Sequence, residues 1–172
     1  MTAPNLEADL EREHPHGFAW AVRCCEGDRS EAEDVLHLAY VKILEGRARF
    51  DGRSAFRTWF FGVIRRTVLE QRRRRWLQGL RFAEWFAARR EDHRAAPDPA
   101  ALAVASDTRE RLEQALGRLS RRQQEMMHLV FYQDLSIQEA AQVLGMPVGT
   151  ARTHYERGKA RLRGLLRELE AR

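Results

Sequence analysis

A break between two helical patterns lies near residue 146 and limits the folds that this chain can adopt. A short amphipathic pattern begins at Ser136 and stops at Gly145-Met146-Pro147, and a second helical pattern starts directly after the proline. Glycine readily adopts the left-handed backbone conformation that commonly ends a helix, and proline cannot continue a helix. The sequence therefore predicts two helices joined by a tight turn, which is the arrangement of a helix-turn-helix motif.

The second of these helices is predicted to have two chemically different sides. Small and apolar residues recur every three or four positions on the inward side: Val148, Ala151, Tyr155, Gly158 and Leu162. A threonine and arginine outer face after a tight turn resembles a DNA recognition helix, which lies in the major groove. The candidate DNA-contacting residues on that face are Thr150, Arg152, Thr153, Arg157 and Lys159. An ordinary helical hairpin with a basic solvent face is the alternative interpretation.

The rest of the chain is also predicted to be helical, because no run has the alternation of a strand. Four stretches have the capping-box pattern that starts a helix: Ser30–Glu33, Asp107–Glu110, Ser120–Gln123 and Ser136–Glu139. Pro97 and Pro99 mark the clearest break, since proline disfavours helix at and before its own position. We therefore predict an all-α fold of two small helical domains, 1–90 and 107–172, joined by a flexible linker at 91–106.

The charge distribution indicates two surfaces for a polyanion. The chain has 30 basic and 25 acidic residues, and all but two of the basic residues are arginine. Residues 47–94 hold 14 basic and 5 acidic side chains, residues 145–172 hold 7 and 3, and the other segments are net acidic. Arginine binds phosphate oxygens at two points, so two arginine-rich blocks favour nucleic acid as a partner.

Several other classes of protein are disfavoured. No run approaches the roughly 20 apolar residues of a membrane span, and residues 1–13 are acidic rather than signal-like, so we expect a cytoplasmic protein. We see no zinc-protease motif, phosphate-binding glycine loop or activated nucleophile, so we expect no enzyme and no cofactor. His14, His16, Cys24 and Cys25 fit no zinc spacing, so we expect no metal site and two cysteines partly buried in the first helix.

An ordered set of motifs over most of the chain resembles the extracytoplasmic-function (ECF) class of sigma factors, the initiation subunits of bacterial RNA polymerase. In the first half, Gly27-Asp28, Ala32–Val35 and Phe50–Phe61 are similar to family motifs. In the second half, Leu135–Gly145 and Val148–Thr153 are similar to the two helices of the family's DNA-binding domain. The order and the break between the halves make the resemblance specific.

The resemblance implies that the first domain docks on core RNA polymerase. The implied contacts form a mixed acidic and apolar stripe: Asp34, His37, Leu38 and Val41. A stripe of that composition suits a protein interface. The alternative is that Leu38 and Val41 belong to the core.

The resemblance also implies that the first domain opens the promoter −10 element. The loop Asp51–Ser54 would receive a base extruded from the stack, with Arg53 and Ser54 in its pocket. The arginines implied to hold phosphates of that DNA are Arg57, Arg65, Arg66, Arg72 and Arg73. Such contacts supply affinity and little sequence reading.

By the same resemblance, the second domain reads the promoter −35 element. Arg152 and Thr153 are the implied base contacts, and Thr150, Arg157 and Lys159 are the implied phosphate contacts. Core RNA polymerase, promoter DNA and an anti-sigma factor are the implied partners. The alternative is a stand-alone helix-turn-helix transcriptional regulator, although such a protein has no need of the aromatic and basic block in the first domain.

Overall fold

The computed structural model describes residues 6–83, 112 and 114–170, and the described residues form helices and connecting turns without a strand. Three helices lie in the first half: α1 at Leu6–Cys24, α2 at Arg29–Leu44 and α3 at Phe56–Ala83. The second half contains α4 at Arg121–Met127, a π-helix at His128–Tyr132, α5 at Ile137–Leu144 and α6 at Val148–Glu170. The predicted all-α class is confirmed.

The chain divides into two compact units. Their ranges are Met1–Gly52 with Val63–Pro99 for the first, and Arg53–Gly62 with Ala100–Arg172 for the second. The start of α3 therefore groups with the second unit, whereas the predicted first domain includes all of residues 1–90. The predicted linker at 91–106 and the predicted capping box at Asp107–Glu110 lie outside the described residues.

The corner between α1 and α2 determines where α2 begins. Glu26 and Gly27 both have positive φ, 60° and 98°, and the chain then enters α2. The Asp28 carboxylate accepts a hydrogen bond from the Glu31 N–H at 2.9 Å and so caps the helix. The prediction that Ser30 is the cap is wrong, because Ser30 already lies inside the helix.

The core of the first unit is built from one side of each of its helices. Trp20 of α1, Val35 of α2 and Ile64 of α3 are fully buried. Lys42 also joins α2 to α3, since its Nζ lies 3.1 Å from Thr67 Oγ1 and 2.6 Å from Glu70 Oε2. Packing and this polar bridge hold the exposed faces of α2 and α3 in one arrangement.

In the second unit, capping boxes start α4 and α5 as predicted. The Ser120 hydroxyl accepts from the Gln123 N–H, and the Gln123 side chain accepts from the Ser120 N–H at 3.0 Å. Ser136 and Glu139 form the same pair of bonds at the start of α5. Hydrogen bonds from the Ser136 side chain and backbone hold the pKa of the Glu139 carboxyl below its usual value.

A close approach between α4 and α6 depends on a glycine. A Cβ placed at Gly158 would lie 3.3 Å from Gln123 Cβ and 3.6 Å from Met127 Cγ. Ala151, two turns earlier on the same side of α6, is fully buried. The predicted inward side of α6 is therefore confirmed except at Val148, the first residue of the helix, which is 42% exposed.

Candidate nucleic-acid interface

A tight turn between α5 and α6 sets the direction of α6. Gly145 has φ 61° and ψ 43°, the left-handed conformation that glycine adopts at little cost. The Met146 N–H donates to the Ala141 carbonyl at 3.1 Å, and the Ala151 N–H donates to the Pro147 carbonyl at 3.0 Å. The predicted helix stop is confirmed, and the connection is that of a helix-turn-helix motif.

The first half of α6 presents arginine side chains to solvent. Thr150, Arg152 and Arg157 are all exposed. Within residues 6–83 and 114–170, neither arginine has an ion-pair or hydrogen-bond partner. A guanidinium group in that state keeps all its donors for a ligand, and base edges and phosphates supply the matching acceptors.

Thr153 and Lys159 differ from these arginines because each has a partner inside the second unit. The Thr153 hydroxyl donates to the Gly149 carbonyl at 3.0 Å. Lys159 Nζ lies 3.2 Å from Glu156 Oε2 and 5.1 Å from the centre of the Tyr155 ring. Lys159 is therefore a weaker candidate for a phosphate contact than either arginine.

The arginines of α3 fall into two groups. Arg66 and Arg73 are exposed and, in the described part of the chain, have no ion-pair or hydrogen-bond partner. Arg72 instead donates from Nη2 to the Cys24 carbonyl at 2.9 Å and lies 3.1 Å from Glu26 Oε1. Arg72 thus ties α3 to the α1–α2 corner, which is a structural use of a side chain predicted to hold DNA.

Arg65 requires a correction to the predicted set of phosphate contacts. Its side chain faces the packed side of α3 and is 8% exposed, so it is not presented to a DNA backbone as Arg66 is. Arg57 is half-buried.

Arg75, to which the sequence analysis assigned no role, forms an ion pair with Glu31 at 2.9 Å and so links α3 to α2.

The loop before α3 is exposed. Asp51, Gly52 and Arg53 all face solvent, and Gly52 has φ 74° with no atom near the position of a Cβ. The Ser54 hydroxyl donates to the Ala55 carbonyl at 3.2 Å. The loop is therefore open to solvent, and the roles of Arg53 and Ser54 stay predictions.

One face of α2 carries the residues predicted to bind polymerase. Asp34 and His37 are exposed, Leu38 is 37% exposed and Val41 is half-buried. Spacings of three and four residues place these side chains on one side of the helix. The alternative that Leu38 is a core residue is wrong, because more than a third of its surface meets solvent.

Sequence reasoning missed a groove between α1 and α2 beside this face. The groove has a volume of about 430 Å³, and its lining includes His14, Phe18, Arg29, His37 and Tyr40. His14 Nδ1 and the Tyr40 hydroxyl lie 2.8 Å apart, and burial raises the pKa of Tyr40 to about 12. These residues come from two helices, so no pattern within one helix could have joined them.

Both cysteines are buried at the α1–α2 corner. Burial, followed by the nearby Glu31 charge, raises the pKa of the Cys25 thiol to about 12. Such a thiol has little thiolate at neutral pH and is a poor nucleophile or metal ligand.

In the part of the chain that the structure describes, no three potential metal ligands come together. No helix of that part is long and apolar enough to span a membrane.

The helix-turn-helix presents arginines of α6 that have no partner in the described residues, and α3 presents further exposed arginines, as suits a nucleic-acid-binding protein of the all-α class. Comparison with protein families specifies which one. The family model described as Sigma-70 region 2 matches residues 10–78, and the model described as Sigma-70, region 4 matches residues 109–162. The first match contains α2 and nearly all of α3, and the second contains the helix-turn-helix.

Individual relatives agree with the family matches. The ECF RNA polymerase sigma factors SigX and SigW of Bacillus subtilis (strain 168) are 29% and 23% identical to this chain. The alignments cover 82% and 83% of this chain and 75% and 79% of the relatives. The sigma factor RpoE from Bartonella quintana, solved in complex with the anti-sigma factor NepR, has the same fold. Its TM-score is 0.68 at 23% identity, over 96% of this chain and 98% of that one.

The chain therefore belongs to the sigma-70 family and is a sigma factor of the ECF class. Proteins of this class bind core RNA polymerase and direct promoter-specific transcription initiation. The alternative of a stand-alone helix-turn-helix regulator is not favoured, because the region 2 match accounts for the first half of the chain.

Proposed function

We propose that α6 reads the promoter −35 element, with Arg152 as the main base contact. The observation that supports this most is that the Arg152 side chain is exposed and has no partner in the described residues. It also lies in the first turns of α6, the part of a recognition helix that meets base edges. Thr150 and Thr153 flank it, and Arg157 holds a phosphate.

The −10 element is assigned to α3 and the loop before it. Arg66 and Arg73 are the phosphate contacts, since both are exposed and without a partner in the described residues. Arg53 and Ser54 line the pocket for an extruded base. Extrusion costs a few kcal/mol, and contacts in the pocket and along the backbone offset that cost.

Core polymerase docks on the α2 face formed by Asp34, His37, Leu38 and Val41. An exposed leucine next to an exposed carboxylate is the mixture of apolar and charged groups that protein interfaces use. The residues assigned to polymerase lie on α2, whereas Arg66 and Arg73, assigned to DNA, lie on α3.

An anti-sigma factor is the proposed regulatory partner. The solved structure of the Bartonella relative is described as a complex with the anti-sigma factor NepR, and a partner of that type would compete for surfaces of this chain. The protein is assigned to the cytoplasm, where bacterial transcription takes place. No catalytic activity of its own is assigned to it.

A reciprocal pair of variants tests the two assignments. Arg152→Ala should lower run-off transcription from a −35-dependent promoter about 5- to 150-fold and leave core binding intact, since an Arg–guanine pair contributes about 1–3 kcal/mol of discrimination. Asp34→Arg should weaken association with core polymerase, measured by fluorescence anisotropy, and leave the α6 contacts intact. Arg163→Ala, at an exposed arginine further along α6, is the control. Equal loss of core binding in Arg152→Ala would contradict the assignment.

A further inference from the structure

An acidic residue, Glu156, lies on the side of α6 that is assigned to DNA. It follows Arg152 by four residues and Thr153 by three, so the three side chains share one side of the helix. Glu156 is also the only acidic residue between Val148 and Arg167. A carboxylate repels phosphates, so affinity for the DNA backbone does not account for an acid at this position.

The Glu156 carboxylate is open to solvent on the side away from its partner. Its side chain is 55% exposed, and its one ion-pair partner among the described residues is Lys159. Lys159 Nζ lies 3.2 Å from Oε2 and 3.4 Å from Oε1. An ionised carboxylate has about four acceptor positions, so several remain for a donor from outside the protein.

The pairing with Lys159 also keeps Arg152 available. The spacing of four residues would allow an ion pair between Arg152 and Glu156. The carboxylate instead lies against Lys159, and Arg152 has no partner in the described part of the chain. Lys159 Nζ lies 5.1 Å from the centre of the Tyr155 ring as well. A lysine placed in this way offsets part of the repulsion between the Glu156 carboxylate and DNA phosphates.

We propose that Glu156 is a specificity-determining residue that accepts a hydrogen bond from the amino group of a cytosine in the −35 element. The proposal rests on the assignment of α6 to that element and names a base that the element contains. Glutamate and aspartate characteristically accept from cytosine N4 in the major groove. Guanine presents O6 and N7 there and thymine presents O4, and the carboxylate repels these acceptors.

The position of Glu156 along α6 fits a second base contact beyond that of Arg152. Base-contacting residues of a recognition helix recur at spacings of three and four over about two turns. At about 1.5 Å of rise per residue, Glu156 lies roughly 6 Å further along the helix than Arg152. That distance corresponds to about two base pairs at ~3.4 Å each. The proposed cytosine therefore lies about two base pairs from the base that Arg152 contacts.

The test uses the full chain assembled with core polymerase and a set of promoter DNAs that contains every single base substitution in the −35 element. Fluorescence anisotropy gives the ratio of affinities for two DNAs with the same protein, and a partly unfolded sample leaves this ratio unchanged. The unmodified protein should prefer cytosine at one position by about fivefold or more. Glu156→Ala should lose that preference and keep the preferences at the other positions. Glu156→Gln should prefer adenine there, because a glutamine amide pairs with adenine N6 and N7.

Glu168→Gln is the matched control, since it makes the same charge change at an exposed position 12 residues further along α6. It should keep every base preference of the unmodified protein. If both Glu156 variants also keep those preferences, or if Glu156→Ala weakens binding to all the DNAs equally, the inference is wrong. Arg152→Ala then separates the two proposals. A loss of −35-dependent transcription in that variant leaves the assignment of α6 intact, and an unchanged level contradicts that assignment as well.

Discussion

The helices α3 and α6 both carry several arginines, but they use them differently. In α3, Arg72 and Arg75 bind the α1–α2 corner and α2, while their neighbour Arg73 is exposed without a partner among the described residues. In α6, Arg152 and Arg157 are both exposed without a partner among the described residues, and the helix packs through small residues instead. A run of arginines therefore indicates a DNA surface only after the residues that brace the fold are set apart.

The largest effect should come from the close helix approach that orients α6. Gly158→Val should destabilise the protein by about 2–3 kcal/mol, because added carbon atoms would meet Gln123 and Met127. Gly164→Ala, in the same helix with no atom within 4 Å of its Cβ position, should instead stabilise by about 0.5–1 kcal/mol. Thermal and urea unfolding measure both changes. Equal destabilisation by the two variants would show that the close approach does not control the packing of α6.

The next effect separates the two groups of arginine in α3. Arg72→Gln should lower the free energy of unfolding by about 1–2 kcal/mol, chiefly because the hydrogen bond from Arg72 to the Cys24 carbonyl is lost. The exposed Glu26 contributes little to this value, since surface ion pairs are weak. Arg73→Gln should leave the unfolding free energy unchanged and weaken promoter binding. Urea unfolding and fluorescence anisotropy of both variants measure these effects. If Arg73→Gln lowered stability and Arg72→Gln did not, the division of the α3 arginines into two groups would be wrong.

A smaller effect tests the start of α2, the helix assigned to polymerase. Asp28→Ala should destabilise the protein by about 1 kcal/mol, because it removes the side chain that accepts from the Glu31 N–H. Ser30→Ala should change stability by less than about 0.5 kcal/mol, as expected for an exposed position inside a helix. If Ser30→Ala proves the more harmful in urea unfolding, Ser30 is the cap after all.

The last prediction is a loss of stability at high pH that is confined to the first unit. Burial raises the pKa of Cys25 from 9.0 and of Tyr40 from 10.0 to about 12, so the folded state keeps protons that the unfolded chain releases. Their contribution is complete below about pH 9 and is lost as the pH rises towards 12. Urea unfolding between pH 8 and pH 11, within the range set by these shifts, measures it. The double variant Cys25→Ala, Tyr40→Phe should have a flatter pH profile, and an unchanged profile would contradict this origin.

Local features of the fold could be predicted because local chemistry decides them. Ser120 and Ser136 each form a capping box with the residue three positions on, and Gly145 ends its helix in the left-handed conformation. Ser30 is the instructive failure. Its capping-box pattern is present, but Asp28 follows a corner of two positive-φ residues and takes the cap first.

The candidate site could be predicted in part. The exposure of Arg152, Arg66 and Leu38 agrees with surface positions predicted from helical spacing and family resemblance. The use of Arg65 and Arg72 could not be predicted, because it depends on which side of α3 meets α1 and α2. The α1–α2 groove was missed for the same reason.

Caps, helix stops and helical spacing depend on neighbouring residues, and motif order is read along the chain, so the all-α class, the helix-turn-helix and the family resemblance could be predicted before the fold was known. Which charges are available to a partner depends on how the helices pack. Arginine reaches far enough to bind either a neighbouring helix or a ligand, and the choice depends on what lies within about 3 Å of its guanidinium group once the helices have packed. Distances between residues of different helices depend on how the helices pack, and residue spacing along the chain does not give them.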